Sequence, residues 1–326
     1  MTPLGPLFPQ TYRWTDRLFS LTALRLILWI VVVAWTHAGI FTDPFNIADW
    51  MDDHQFVGWE ESDRSTFLRY HQLPAWNPYW CGGSVGIPQP EDPFLSPDFV
   101  LRLIYGVAHG RRLTILLLVV LGFEGMYRLC RRLDASATGA VFAALVYGTT
   151  DRFVGFIHDG WVHFIGFELI PWVIYGLVAG MTSWRYRVVG GFFFAWIVLA
   201  PGTYPTPFTL ITFAYVSIAL FLYTLVRRRP PEPVRRWWER PWVSVWVSGA
   251  TIGVVALGIT FGKLVPTLVW VRQFARTFVM LEVHEPTQLF TGMWPHYGAV
   301  VALALIGAAT ADVAAATAMK KTKITM

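Results

Sequence analysis

The sequence predicts an all-α polytopic membrane protein, with about eight transmembrane helices in one domain over residues 1–326. Three observations predict it. The chain is 55% hydrophobic and 14% charged, where a soluble domain carries about 25% charged residues, and its mean hydropathy is +0.46. Its apolar residues fall into long runs that match the thickness of a bilayer. Arginine and lysine gather between alternate runs, as the positive-inside rule expects. A net charge of +5, small and tied mainly to loops, gives no reason to expect nucleic acid as a partner.

The runs lie at about 18–41, 111–130, 137–156, 162–182, 187–203, 206–226, 243–271 and 298–319. Each is long enough to cross about 30 Å of hydrocarbon as a helix. Pro201 breaks the outer end of the fifth, and the eighth is Ala-rich and carries Asp312. Residues 97–107 are too short to span and read as an interfacial helix. Arg13 and Arg17 precede the first run; Arg128, Arg131 and Arg132 follow the second; Arg185 and Arg187 follow the fourth. Six arginines lie between 227 and 240, and Lys320, Lys321 and Lys323 follow the eighth run. All fall on one face if the runs alternate. That face is then cytoplasmic, with both termini on it. The basic 227–242 loop is a topology anchor with affinity for anionic lipid. No cleavable signal peptide is expected, because the first apolar run is too long. Cys81 and Cys130 fall on opposite sides, so no disulfide is expected between them.

Residues 42–110 form a large first extracytoplasmic loop holding ten of the 21 acidic residues. Its Pro, Gly and aromatic residues fix turns and supply stacking surfaces, unlike a disordered segment. Phe56, Trp59, Glu60, Arg64, Phe67 and Leu68 have loosely helical spacing, so 56–70 is expected to form a short helix across the top of the bundle. The loop opens on "ADWMDDHQF" (48–56), continues through "LPAWNPYWCGG" and "PFLSPDF", and leads to "GFEGMYRLCRRLDAS". With "HDGWVHFIGFELIPWVIYGL" and "KLVPTLVWVRQFAR" further on, these stretches resemble the YfhO-like bacterial membrane proteins of the GT-C glycosyltransferase superfamily. The resemblance covers roughly residues 18–280, and its most specific block is "LPAWNPYWCGG". It implies a GT-C-like core and a polyprenyl-phosphate sugar as donor. It also implies an acidic catalytic motif in the first outer loop, with Asp49 at the leading aspartate and Asp52 and Asp53 at more variable positions.

The residue types suit that chemistry. Inverting glycosyl transfer needs a base to take the acceptor's proton, and a carboxylate does this. Asp52, Asp53 and His54 beside Asp49 would tune it, hold a divalent cation or steer an acceptor. Arg111, Arg112, Arg152 and Arg272 are outer-side candidates for the leaving lipid phosphate. Asp151, His158, Asp159 and His163 cluster at the turn between the third and fourth runs. That cluster reads equally as a wet hairpin, and Asp49 as a solvated or capping acid. Glu124, Glu168 and Lys263 lie inside apolar runs, where ionisable groups are rare. Lys263 is a candidate for phosphate contact or for buried pairing. No cofactor is required by the sequence, and a divalent cation is the one candidate.

A second reading belongs to another class. Proteins of the resembled group are usually longer, and a short non-catalytic relative would serve as a structural subunit of a larger membrane complex. Membrane lipids are partners on either reading, and other membrane subunits on the second.

Overall fold

Residues 13–42, 53–79, 82–158, 160–226 and 240–273 are described by the structure, a computed structural model. The protein is an all-α membrane protein. Four of its helices are long and apolar enough to cross a bilayer: Val107–Arg132, His163–Gly180, Pro205–Val226 and Pro241–Gln273. A bent pair at the N-terminus raises the number to five. The eighth expected run, 298–319, lies outside the described residues.

The first run is not one helix. It is α1 (Arg13–Ser20), α2 (Thr22–Thr36) and α3 (Ala38–Thr42), with a 79° bend between the first two. A bend in lipid strands carbonyls that the helix would otherwise satisfy. Here Arg25 takes over that role: its Nη1 donates to Phe19 O at 3.0 Å and Ser20 O at 2.9 Å. The Tyr127 hydroxyl adds a bond to Phe19 O at 3.2 Å. Arg25 also forms an ion pair with Glu124 at 3.0 Å and lies over the Tyr127 ring. Glu124 accepts further from Trp29 Nε1 at 3.3 Å and Arg128 Nε at 2.9 Å. The buried acid on the second run therefore holds the broken first run in place.

The first long loop supplies α4 (Asp53–Tyr70), a two-residue antiparallel pair β1 (Trp76–Asn77) and β2 (Ser84–Val85), and α5 (Phe99–Tyr105). The expected helices at 56–70 and 97–107 are both present. The second run is α6 (Val107–Arg132). The third divides into α7 (Ala137–Gly148) and α8 (Asp151–His158), each too short to span alone. The fourth is a 3-10 helix (Val162–Leu169) followed by α9 (Ile170–Gly180). Pro171 has no N–H for the carbonyl four residues earlier. That carbonyl, Phe167 O, accepts from the Tyr147 hydroxyl at 2.6 Å. The fifth is α10 (Trp184–Leu199), shorter than a full crossing; α11 (Pro205–Val226) and α12 (Pro241–Gln273) complete the order.

Glycines set the close approaches. A Cβ at Gly190 would stand 3.0 Å from Gly176 Cα and 3.1 Å from Ile252, so α10 lies against both α9 and α12. A Cβ at Gly125 would stand 2.6 Å from the Trp172 ring, whose Nε1 donates to Leu121 O at 2.8 Å. The core runs through Trp29, Leu118, Phe123, Leu169, Leu177 and Ile197.

Removing one partner of a buried ion pair leaves the other charge stranded, at about 3–5 kcal/mol. Arg25→Leu is therefore expected to lower stability by about that much. Arg25→Leu combined with Glu124→Leu is expected to recover only the part due to the stranded carboxylate, since the Phe19 and Ser20 carbonyls and the Trp29 and Arg128 donors still lose their partner. Thermal unfolding in detergent checks both; equal losses in single and double variants would show that the stranded charge of Glu124 costs nothing.

Candidate functional site

The site is built where the loop helices meet the end of α6. Phe56, Trp59, Glu60, Asp63 and Phe67 recur at three- and four-residue intervals and share one face of α4. Phe56, Trp59, Glu60 and Asp63 are buried. Gly106, at φ 79°, reverses the chain between α5 and α6. A Cβ at Gly110 would stand 2.5 Å from Arg102 Cα, so α5 folds back directly onto the first turn of α6. This brings Asp98 and Arg102, one turn apart, beneath α4.

Arg102 is 2% exposed and is the centre of the network. Its Nε pairs with Glu60 at 2.9 Å and its Nη1 with Asp98 at 2.7 Å. Burial works against its charge, but Glu60 and Asp98 outweigh it and hold the pKa above the ordinary value. Asp98 also accepts from Trp196 Nε1 of α10 at 2.7 Å and from the Thr114 hydroxyl at 3.4 Å. Arg111 approaches Glu60 at 3.5 Å. Arg64 Nε donates to Arg102 O at 3.0 Å, tying α4 to α5 by backbone as well.

A second group lies one turn along α4. Asp63 and Asp92 face each other closely enough to share a proton. Lys263 reaches them from α12; its Nζ donates to Asp92 O and, at 3.3 Å, to Leu199 O. Asp92 Oδ1 accepts from Phe94 N at 2.8 Å. Glu91, half-buried, also faces Lys263. Burial first, then Asp92 and Glu60, raise the Asp63 carboxyl from 3.8 to about 10, against the pull of Lys263. Burial likewise raises Asp92, against the attraction of Lys263.

Between the Arg102 network and the bundle is a narrow crevice with free space of about 10 Å³, room for about one water molecule. It is lined by Phe56, Glu60, Asp98, Arg102, Arg111, His163, Ile165, Ala200 and Pro201. The His163 ring stacks on Phe56, with centroids 4.6 Å apart. One wall is therefore aromatic and the other ionic.

The sequence candidates divide clearly. Arg111 and His163 line the crevice, and Lys263 anchors the loop beside it. Lys263 is buried. His54 is exposed and outside the crevice lining. Arg112 is also outside it; its Nε and Nη2 are buried without a hydrogen bond. His158 contacts Thr36 O at 3.1 Å and stacks near the buried His37. Arg272 is exposed at the end of α12. Asp49, Asp52 and Asp159 lie outside the described residues, as do the side chains of Asp53, Asp151 and Arg152. Cys81 lies there too, and Cys130 is a free thiol. Glu168 is buried with its carboxylate against Gly122, and its Oε2 makes no hydrogen bond.

Sequence reasoning missed Asp63, Asp92, Asp98, Arg102 and Trp196. Two signals pointed to them: Asp98 and Arg102 at i, i+4, and Glu60 and Asp63 on the apolar face of a helix. Among the described residues, no group of three or more His, Cys, Asp or Glu is placed to hold a metal. No protein-family model, curated protein or solved structure matches the chain.

Asp63 gives the site a pH dependence of known sign. Between 3.8 and about 10 the folded chain keeps a proton that the unfolded chain has released. The stability from this group is fully present below the lower value and is lost as pH rises toward the upper one. The thermal midpoint is expected to fall between about pH 5 and about pH 9, and Asp63→Asn to flatten that fall. An unchanged slope in the variant would assign the dependence elsewhere.

Proposed function

We propose that the chain is a membrane-embedded glycosyltransferase. It moves a sugar from a polyprenyl-phosphate carrier to an acceptor at the end of the bundle that carries the loop. The observation that supports this best is the chemistry of the crevice lining, aromatic on one wall and ionic on the other, though the crevice must widen to admit a sugar. Aromatic faces suit the apolar side of a sugar ring, and buried carboxylates and guanidinium groups suit its hydroxyls and a phosphate. Arg111 lies in the second turn of α6, a helix long enough to span, and α5 carries Arg102 against it; a lipid phosphate would be met at that end of the helix. The finer features belong to the same proposal: eight spans, a GT-C-like core, both termini in the cytoplasm of a bacterium, and Asp49 as base beside Asp52, Asp53 and His54. A divalent cation would bind within that acidic segment.

The test is transfer from a polyprenyl-phosphate sugar in reconstituted vesicles, read by mass spectrometry of the product. Loss of a positioned base costs about 10² to 10⁴ in rate, so Asp49→Asn is expected to lose that much with unchanged thermal stability. Full activity in Asp49→Asn would remove it as the base.

One observation favours the second reading, a non-catalytic subunit of a larger membrane complex. Glu60 and Asp98 are committed to arginines, and Asp63 to Asp92. A network so committed serves as a joint as readily as a reaction site. No transfer by the wild-type chain, with stoichiometric copurification of other membrane subunits from native membrane, would decide for the joint.

A further inference from the structure

At the end of α6 away from the crevice, positive charge is in excess. Arg128 and Arg132 stand one turn apart in the last two turns of α6, a helix long enough to span. Glu124, one turn deeper, is shared: it pairs with Arg25 at 3.0 Å and with Arg128 at 2.9 Å. Two guanidinium groups therefore draw on one carboxylate. Arg132 Nη2 donates at 2.5 Å to a neutral partner, the Thr182 hydroxyl. That hydroxyl donates in turn to Ala179 O at 3.0 Å, which fixes it as an acceptor for Arg132.

One neighbour is common to both arginines. Each lies within electrostatic reach of the Tyr175 hydroxyl of α9, which is hydrogen-bonded to the Tyr186 hydroxyl of α10. The two phenol rings meet edge to face, with centroids 5.4 Å apart. Arg128 lies over the Trp172 ring at 5.5 Å, and Tyr175 meets the same ring edge-on at 5.8 Å. Arg128 is thus held by Nε and its ring contact, and Arg132 by Nη2. Among the described residues, the remaining guanidinium N–H groups of both make no hydrogen bond.

We propose that these side chains form a site for the phosphate of an anionic phospholipid. A phosphate would meet Arg128, Arg132 and the tyrosine hydroxyls together, and its charge would offset the excess around Glu124. The level suits a headgroup. Trp184 and Tyr186, in the first turn of α10, are 66% and 38% exposed, and such rings collect at the lipid–water boundary. That placement favours a lipid over a soluble phosphate. The site is independent of the transferase reading, whose crevice lies at the other end of α6.

The test uses full-length protein purified in mild detergent from vesicles of equal parts phosphatidylglycerol and phosphatidylcholine. Native mass spectrometry counts the lipid retained. The expected result is one phosphatidylglycerol per chain, several-fold over phosphatidylcholine, a measurement on the wild type that depends on no variant folding. Arg132→Gln is expected to cut retention about fivefold, the effect of one arginine near an anionic lipid, and Arg132→Lys to keep most of it. Arg131→Gln removes the same charge from the same end of α6, where Arg131 is bonded to Ala135 O; it is expected to change nothing. Equal retention of the two lipids by the wild type, unchanged retention in Arg132→Gln, or an equal loss in Arg131→Gln would overturn the site. Inorganic phosphate titrated into delipidated protein separates the sources. Saturable binding that Arg132→Gln abolishes, without preference between the two lipids, would make soluble phosphate the ligand and overturn the lipid assignment.

Discussion

A charge taken out of water must be met by an opposite charge or by oriented hydrogen bonds, and most of this protein's architecture follows from how that requirement is met. Glu60, Asp63, Asp92 and Asp98 are buried together with Arg102, Arg111 and Lys263. Acidic and basic groups thus face one another there, with the Asp63 carboxyl kept protonated by its burial and by Asp92. The balance matters because the groups come from separate parts of the chain. Two acids come from α4, two from the segment before α5, and the cations from α5, α6 and α12. No one of these elements can leave without stranding a charge on another.

The same rule operates at the other buried network. A spanning segment bent by 79° exposes main-chain carbonyls that lipid cannot solvate. Arg25 satisfies them, and Glu124 and Tyr127 satisfy Arg25. The bend and the intramembrane acid are two parts of one arrangement. Between the two networks the bundle relies on apolar packing and on glycines such as Gly125, Gly176 and Gly190, which bring helix axes close.

Much of this was legible in residue order, for physical reasons. Long apolar runs announce helices in lipid, and a loop rich in aromatics and proline announces folded structure. So α4, α5, α6, α11 and α12 are where periodicity and composition place them. The break at Ser20 was not legible, because the residues that stabilise it, Arg25 and Glu124, are 99 positions apart. The division of the third run into α7 and α8 was hidden for a related reason: hydropathy averages over a turn such as Gly148–Thr150. In the site, "ADWMDDHQF" drew attention because its acids are adjacent. The carboxylates that the structure brings together are distributed from Glu60 to Asp98, and proximity in sequence says little about proximity in space. Lys263 was legible as an oddity, since a lysine deep in an apolar run demands a partner. That its partners are main-chain carbonyls of Asp92 and Leu199 required the fold.

The 3-10 helix at Val162–Leu169 places His163 in the crevice and Glu168 in the core on one tightly wound segment. A 3-10 helix turns about 120° and rises about 2.0 Å per residue, against about 100° and 1.5 Å in an α-helix. Eight residues rewound as α-helix would shorten by about 4 Å, and His163 would swing by about 100° relative to Glu168. The segment is thus geometrically a screw thread between the aqueous end and the interior. A change in its winding would turn the His163 imidazole relative to Phe56, on which it now stacks.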